Sequence, residues 1–193
     1  MAEASSPRLA IPVVVIGPQF CTPSPVDLII VKKPVTISEG NLGVTDVKGK
    51  TMFYLKGKLL SVPDRRVLLY AKGNPIVSLR QRGDSSDSKD LLFSAMKSSL
   101  IQFKTELDVF LATNKKEHVC DFKVKGNWLE RSCIISTGVQ LSLLRYKSCE
   151  KHSLKRVVLG KDKFAVNVYP NIDQAFIVAL VVILNEINED KDD

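Results

Sequence analysis

The stretch Ala175-Phe-Ile-Val-Ala-Leu-Val-Val-Ile-Leu184 decides the fold. Every position in it is apolar. It follows Pro170-Asn171-Ile172-Asp173, in which the proline ends a strand and either Asn171 or Asp173 can cap a helix. A helix that is apolar all round has no face for water, so it belongs in a protein core or in lipid. Spanning a bilayer takes roughly 20 apolar residues, and this run stops short of that at Asn185 and Glu186. The helix is therefore expected inside the protein, with other elements enclosing it.

Those other elements read as strands. Val26–Val31 is a mostly apolar run between Pro25 and Lys32-Lys33. Leu42–Asp46 and Thr51–Leu55 form a hairpin in which Gly49 supplies the positive φ of a tight turn. Arg66–Tyr70 and Ile76–Arg80 flank Lys72-Gly73-Asn74-Pro75 and form a second hairpin. Leu91–Met96, Leu107–Ala112, Cys120–Val124, Ser132–Ser136, Leu141–Tyr146 and Phe164–Val168 continue the series. Many short strands with little helix between them point to an antiparallel sandwich or barrel. With the apolar helix added, the expectation is a mainly β protein: a closed antiparallel β-barrel around a central hydrophobic C-terminal α-helix.

The chain has 193 residues, 45% of them hydrophobic and 25% charged. That suits one globular domain and excludes a disordered, collagen-like or disulfide-stapled chain. A flexible N-terminal arm is expected over residues 1–24 and a single barrel domain over 25–193. The apolar run Leu9–Ile16 is broken by Pro12 and lacks a cleavage site, so it reads as part of that arm and not as a signal peptide. Four cysteines without a CxxC pair, and no glycosylation sequon, suit a reducing compartment. The expected location is cytoplasmic, at the periphery of the plasma membrane or nuclear. The expected state is a monomer without a transmembrane segment.

Several constellations resemble chemistry and do not carry it. Gly43–Thr51 looks like a phosphate loop, but five residues separate Gly43 from Gly49, and Thr51 opens a strand where a helix is needed. His118-x-Cys120 and Cys149-x-x-His152 could supply four zinc ligands, yet the first pair is read as two residues on one face of a strand. No nucleophile elbow or metalloprotease helix occurs. Glu106, Asp108 and Glu130 sit among basic residues and read as surface pairs. No catalytic residue, metal or cofactor is assigned, and the chain is expected not to be an enzyme.

The charge is more informative. The formal net charge is +7, with 28 Lys+Arg against 21 Asp+Glu. Five acids and one lysine lie between Glu186 and Asp193, so the acidity concentrates at the end of a basic body. Lys123 and Lys125 alternate with Phe122 and Val124 and should share an outward face, with Arg131 close behind. Lys56, Lys58, Arg65, Arg66, Arg80 and Arg82 form a second concentration. Together these are the candidate surface for an anionic ligand, either lipid headgroups or nucleic-acid backbone. Aromatic residues make up only 7% and mostly alternate into the core, which argues against base stacking. No motif for sequence-specific DNA reading is present.

Several stretches resemble the plant LURP-one-related family. They include Gly40-Asn-Leu-Gly-Val-Thr-Asp46, Gly73-Asn-Pro-Ile-Val-Ser-Leu-Arg80, Cys120-Asp-Phe-Lys-Val-Lys-Gly-Asn-Trp-Leu-Glu-Arg-Ser-Cys133 and Val168-Tyr-Pro-Asn-Ile-Asp173 running into the apolar helix. The resemblance implies the tubby C-terminal-like barrel shared with phospholipid scramblases. It implies binding of anionic phospholipid or phosphoinositide at a membrane surface, without catalysis. The alternative it leaves open is a defence- or stress-associated regulator that contacts protein partners or nucleic acid. True lipid scrambling would need an acidic calcium-site segment, which is not visible. One departure stands out. After Arg80 the family usually has a further strand bearing a Trp and a Phe, and here only Gln81 precedes Arg82-Gly83-Asp84. The chain thus reads as a splice variant or a truncated gene model lacking one strand near residues 80–84. A lesser departure is Leu141–Lys147.

Overall fold

The computed structural model describes residues 11–32, 40–56, 65–80, 91–101, 104–127, 132–137, 142–147 and 163–189. Among the described residues eleven strands precede one α-helix. They are β1 (Val26–Lys32), β2 (Gly40–Asp46), β3 (Thr51–Lys56), β4 (Arg65–Tyr70), β5 (Pro75–Arg80), β6 (Phe93–Ile101), β7 (Lys104–Leu111), β8 (Phe122–Asn127), β9 (Ser132–Thr137), β10 (Ser142–Lys147) and β11 (Lys163–Val168). The helix is α1 (Gln174–Glu189). Each strand expected from the sequence is present, with ends displaced by a few residues. The largest displacement is at β6, which runs on to Ile101; at β8, Cys120 precedes the strand, because Asp121 leaves the ladder. The Asp121 Oδ2 accepts the Leu111 N–H at 2.8 Å and the Asn114 amide at 2.9 Å.

The strands form one antiparallel ladder in the order β5-β4-β3-β2-β1-β11-β10-β9-β8-β7-β6. Every pairing is between chain neighbours except β1 with β11, where Val26 stands opposite Val168. The turns follow the residues that permit them. Gly49 has φ +83° and Gly73 has φ +88°, as the two hairpins require. The Ser142–Leu144 region of β10 carries a register shift against β9.

The sheet wraps around α1. One core cluster joins Leu79 of β5, Phe93 of β6 and strands between them to the helix from Ala175 to Leu184. Ala175 to Leu180 are wholly shielded from water. Burying a side chain of this size contributes about 1.5–3 kcal/mol, so the helix is a main source of stability. Phe176 anchors its first turn, with ring centroids 5.1 Å from Phe93 and 5.0 Å from Phe122. Near the other end Gly126 of β8 lets the helix pass closely: a Cβ there would lie 3.1 Å from a Leu184 methyl.

Two expectations need adjustment. The ring does not close within the described residues, since β5 and β6 are the two ends of the strand order. The reason is parity. In a meander whose neighbours are all antiparallel, an odd number of strands leaves the first and last running in the same direction, so they cannot complete an antiparallel ring. The described part of the arm, residues 11–24, is also tied to the domain. Val13 donates to the Asn171 carbonyl at 2.8 Å, and Asp173 donates its N–H to the Val13 carbonyl at 3.0 Å. Phe20 is buried against Phe53 and Tyr70. Residues 1–10 lie outside the described part.

Candidate functional site

The pairing registers assign every strand terminus to one end of the sheet. The head end, where α1 begins, carries Val26, Asp46, Thr51, Tyr70, Pro75, Phe93, Leu111, Phe122, Thr137, Ser142 and Val168. Asp46 is the one charged residue among these termini. At the tail end, where α1 finishes, β1 ends at Lys32, β3 ends at Lys56, β4 starts at Arg65 and β5 ends at Arg80. On the other half of the order, β7 starts at Lys104, β10 ends at Lys147 and β11 starts at Lys163. Seven of the eleven strand termini at this end are thus basic, and none is acidic.

The registers give the ladder neighbours of these termini. Arg65 stands directly opposite Arg80. Lys56 faces Gly40 on one side and Val67 on the other. Lys104 faces Ile101 and Asn127, Lys147 faces Ser132, and Lys163 faces Val31. Like charges directly opposite one another disfavour a strand pair by a few tenths to about 1 kcal/mol.

The second candidate group behaves differently. Lys123 and Lys125 do share the outward face of β8, but the register sets Asp108 and Glu106 of β7 directly against them. Lys123 Nζ lies 3.0 Å from Asp108 Oδ1, and Lys125 Nζ lies 3.5 Å from Glu106 Oε1. The hydrogen bond to Asp108 raises the Lys123 pKa further above its ordinary value. These partly exposed pairs contribute about 0–1 kcal/mol each, and they neutralise the patch. Arg66 alternates with Arg65 and shares the face of Leu68 and Tyr70, so it leaves the outer group. Lys58, Arg82 and Arg131 lie outside the described residues. Of the residues singled out from the sequence, Lys56, Arg65 and Arg80 stand at this end, and strand pairing brings Lys104, Lys147 and Lys163 to it as well.

The other constellations resolve as structure. Gly43–Thr51 is the β2–β3 hairpin, and the Asp46 carboxylate accepts the N–H groups of Lys48 at 2.9 Å and Lys50 at 2.8 Å. That is turn chemistry. His118 and Cys120 sit in the loop between β7 and β8 and not on a strand, while Cys149 and His152 lie outside the described residues. Among the described residues no group of three or more His, Cys, Asp or Glu could hold a metal, and no helix is long and apolar enough to cross a membrane. Burial pushes the Cys133 thiol up to about 12. Burial raises Cys120 and Cys21 as well, helped by the charges of Asp108 and Asp173 respectively.

Comparison with known proteins adds the lineage. The LURP-one-related family model matches residues 26–185, which is nearly the whole sheet and helix. The chain belongs to the LURP-one-related family. LURP-one-related 15 of Arabidopsis thaliana is 44% identical, with 92% of this chain and 87% of that protein covered. LURP-one-related 10 is also 44% identical, over 93% of this chain and 99% of its own length. LURP1 of the same plant is 39% identical. An Arabidopsis thaliana protein solved by crystallography superposes with a TM-score of 0.70 at 40% identity, covering 91% of this chain and 98% of that one. The alignment with LURP-one-related 15 runs over 189 positions yet uses 92% of 193 residues. On the order of ten of its positions therefore face no residue in this LURP-one-related chain, about the length of a strand and its turn.

Proposed function

We propose that this LURP-one-related chain is a non-enzymatic module that binds anionic phospholipid at a membrane surface through the tail end of its sheet. The observation that carries this reading is the gathering of strand-terminal cations at that one end, with Arg65 opposite Arg80 in the ladder. Lys and Arg near an anionic bilayer contribute about 1 kcal/mol each. A ring of termini on a rigid sheet can meet a flat surface together, which a single flexible segment does only at an entropic cost. Nucleic acid is less well served, because Phe20, Phe53, Phe93, Phe110, Phe122 and Phe176 are all buried and provide no stacking platform.

Co-sedimentation with phosphatidylcholine vesicles, with and without an anionic lipid, tests the reading. Salt-sensitive binding to the anionic vesicles is expected, with none to the neutral ones. No binding to anionic vesicles at low salt would end it. A parallel retention assay on nucleic acid would favour the alternative, a regulator without lipid binding, if it alone were positive.

The closed ring is proposed for the longer family members. A twelfth strand placed between β5 and β6 would run antiparallel to both and complete an even-numbered barrel. The positions without a counterpart in this chain support that reading, as does the seam at β5 and β6. The present chain is then a shortened form of the tubby-like barrel, acting in the cytoplasm, at the plasma membrane or in the nucleus. Its association with defence and any protein partner belong to the same proposal.

A further inference from the structure

The exposed apolar side chains gather at the head end. Among the described residues eight large ones are exposed, and only Ile134, midway along β9, lies elsewhere. Val47 sits in the β2–β3 turn, and Val119, 70% exposed, in the β7–β8 loop. Leu91 and Leu92 lead into β6, and Tyr70 closes β4. Ile11 and Val14 lie on the arm beside Val13, which bridges Ile172 just before α1. A single exposed apolar residue needs no explanation, but a group of them at one end marks an interaction surface. Five exposed lysines share these loops: Lys48, Lys50, Lys72, Lys115 and Lys116. Among the described residues none of the five is in an ion pair, unlike Lys123 and Lys125. Glu117 is the one exposed acid described there. Hydrogen bonds hold the tips. The Asn114 amide donates to the Val119 carbonyl at 2.8 Å, and its Oδ1 accepts the Glu117 N–H at 3.2 Å. The Leu92 carbonyl accepts the Ala112 N–H at 2.9 Å. Tips fixed in advance lower the ordering cost of any contact they make.

We infer that the head end is a second membrane surface, at which the apolar tips enter the interface of an anionic bilayer while the lysines meet its headgroups. Shape and charge select a bilayer over a protein partner. The tips stand on separate loops from both halves of the strand order, β2–β3 on one side and β6 with β7–β8 on the other. An extended peptide on one loop would leave the others in water, whereas a flat interface meets several at once. An apolar residue beside a lysine suits that interface, the first at the acyl boundary and the second at the anionic headgroups. The inference goes beyond the tail-end reading, since it uses other residues and another chemistry. The two surfaces lie at opposite ends of α1, so one flat bilayer meets one of them at a time. Contact through the tail-end cations weakens as salt screens it. Burial of apolar tips is not screened, so head-end contact outlasts it.

Co-sedimentation of the full chain with vesicles of phosphatidylcholine and phosphatidylserine, at low and at high salt, tests this. Part of the binding is expected to persist at high salt. Val47→Glu with Val119→Glu should lower that salt-resistant part by about tenfold or more. Melting should be unchanged, because both side chains are exposed. Val47→Leu with Val119→Leu should keep or strengthen the salt-resistant part. Its absence from the unaltered chain overturns the inference. Equal salt-resistant binding by the glutamate variant also overturns it and leaves this end to a protein partner. Val119→Trp supplies a second measurement. Lipids carrying a nitroxide just below the headgroup should quench its fluorescence beyond that of Trp128, the one native tryptophan. No added quenching in the bound protein overturns insertion. Salt-sensitive binding alone would uphold the tail-end reading and remove this inference. Salt-resistant binding with no gain at low salt, left intact by Lys56→Ala, Arg65→Ala and Arg80→Ala together, would do the reverse. The two failures are therefore distinguishable.

Discussion

The Asp173 carboxylate accepts the backbone N–H of Gly17 at 2.9 Å while holding the start of α1. Its Oδ2 also takes the N–H groups of Ile16 at 2.7 Å and Val15 at 3.2 Å. Its Oδ1 takes the Phe176 N–H at 3.1 Å, three residues into the helix. One buried carboxylate thus caps the helix and ties down the segment that crosses its end. Asn171, the other capping candidate, instead turns the chain with a φ of +62°.

Replacing Asp173 by alanine strands three amides of the arm and one of the helix. A loss of about 3–5 kcal/mol is expected, the scale for removing one partner of a buried charged network. Urea denaturation measures it. Asp173→Asn keeps one acceptor oxygen and should lose less. In both variants, hydrogen exchange at Val15, Ile16 and Gly17 should accelerate before that of the core strands. Equal protection of those amides would contradict the linkage.

At Gly126 the Cβ added by alanine meets Leu184 methyls at 3.1 and 3.2 Å. The side chain must shift by a few tenths of an ångström, so Gly126→Ala should destabilise by about 1 kcal/mol and Gly126→Val by about 1–3. Combining Gly126→Ala with Leu184→Ala should cost less than the two single changes summed. A double-mutant cycle read by denaturation checks the coupling.

The buried Cys133 should stay protonated and unreactive across ordinary pH. Its thiol is pushed up to about 12 by burial, from an ordinary value of 9.0. Iodoacetamide at pH 8 should therefore label it only when the protein opens, and mapping by mass spectrometry distinguishes it from Cys21 and Cys120. Linkage carries a sign here. Between 9 and 12 the unfolded chain releases this proton and the folded chain keeps it. Stability from this group is full below the lower value and falls as pH rises through that window.

The two basic groups should separate in a binding assay. Lys123→Ala with Lys125→Ala removes cations that Asp108 and Glu106 already neutralise. It is expected to leave binding to anionic vesicles within about twofold. Lys56→Ala, Arg65→Ala and Arg80→Ala together should lower it by about tenfold or more and flatten its salt dependence. The reverse ranking would move the site to β8.

The proposed twelfth strand is tested by inserting between Arg80 and Leu91 a segment of LURP-one-related 15 that has no counterpart in this chain, which should raise the melting temperature. On that proposal the segment is an antiparallel neighbour to β5 and to β6 at once. Thermal unfolding of the two forms side by side measures the gain. A lower or unchanged midpoint would mean that this chain accommodates the seam without that strand.

Much of the architecture is local, and local patterns were legible. Hairpin turns at Gly49 and Gly73 follow from the positive φ that glycine permits, and alternation in Phe122-Lys-Val-Lys-Gly126 sets which residues face inward. The apolar run from Ala175 to Leu184 required an enclosing sheet, since neither water nor a bilayer of ordinary thickness could accept it. Those properties depend on neighbours in the chain, so the sequence by itself determined a strand-rich fold with an internal C-terminal helix. The site depends on distant residues. Lys32, Lys104, Lys147 and Lys163 look unrelated along the chain until register places them at one end with Arg65 and Arg80. Lys123 and Lys125 look like a basic patch until register sets Asp108 and Glu106 opposite. Charge interactions act across strands through space, with a range set by screening and not by sequence separation. Only the tertiary structure could decide which cations gather and which are already answered.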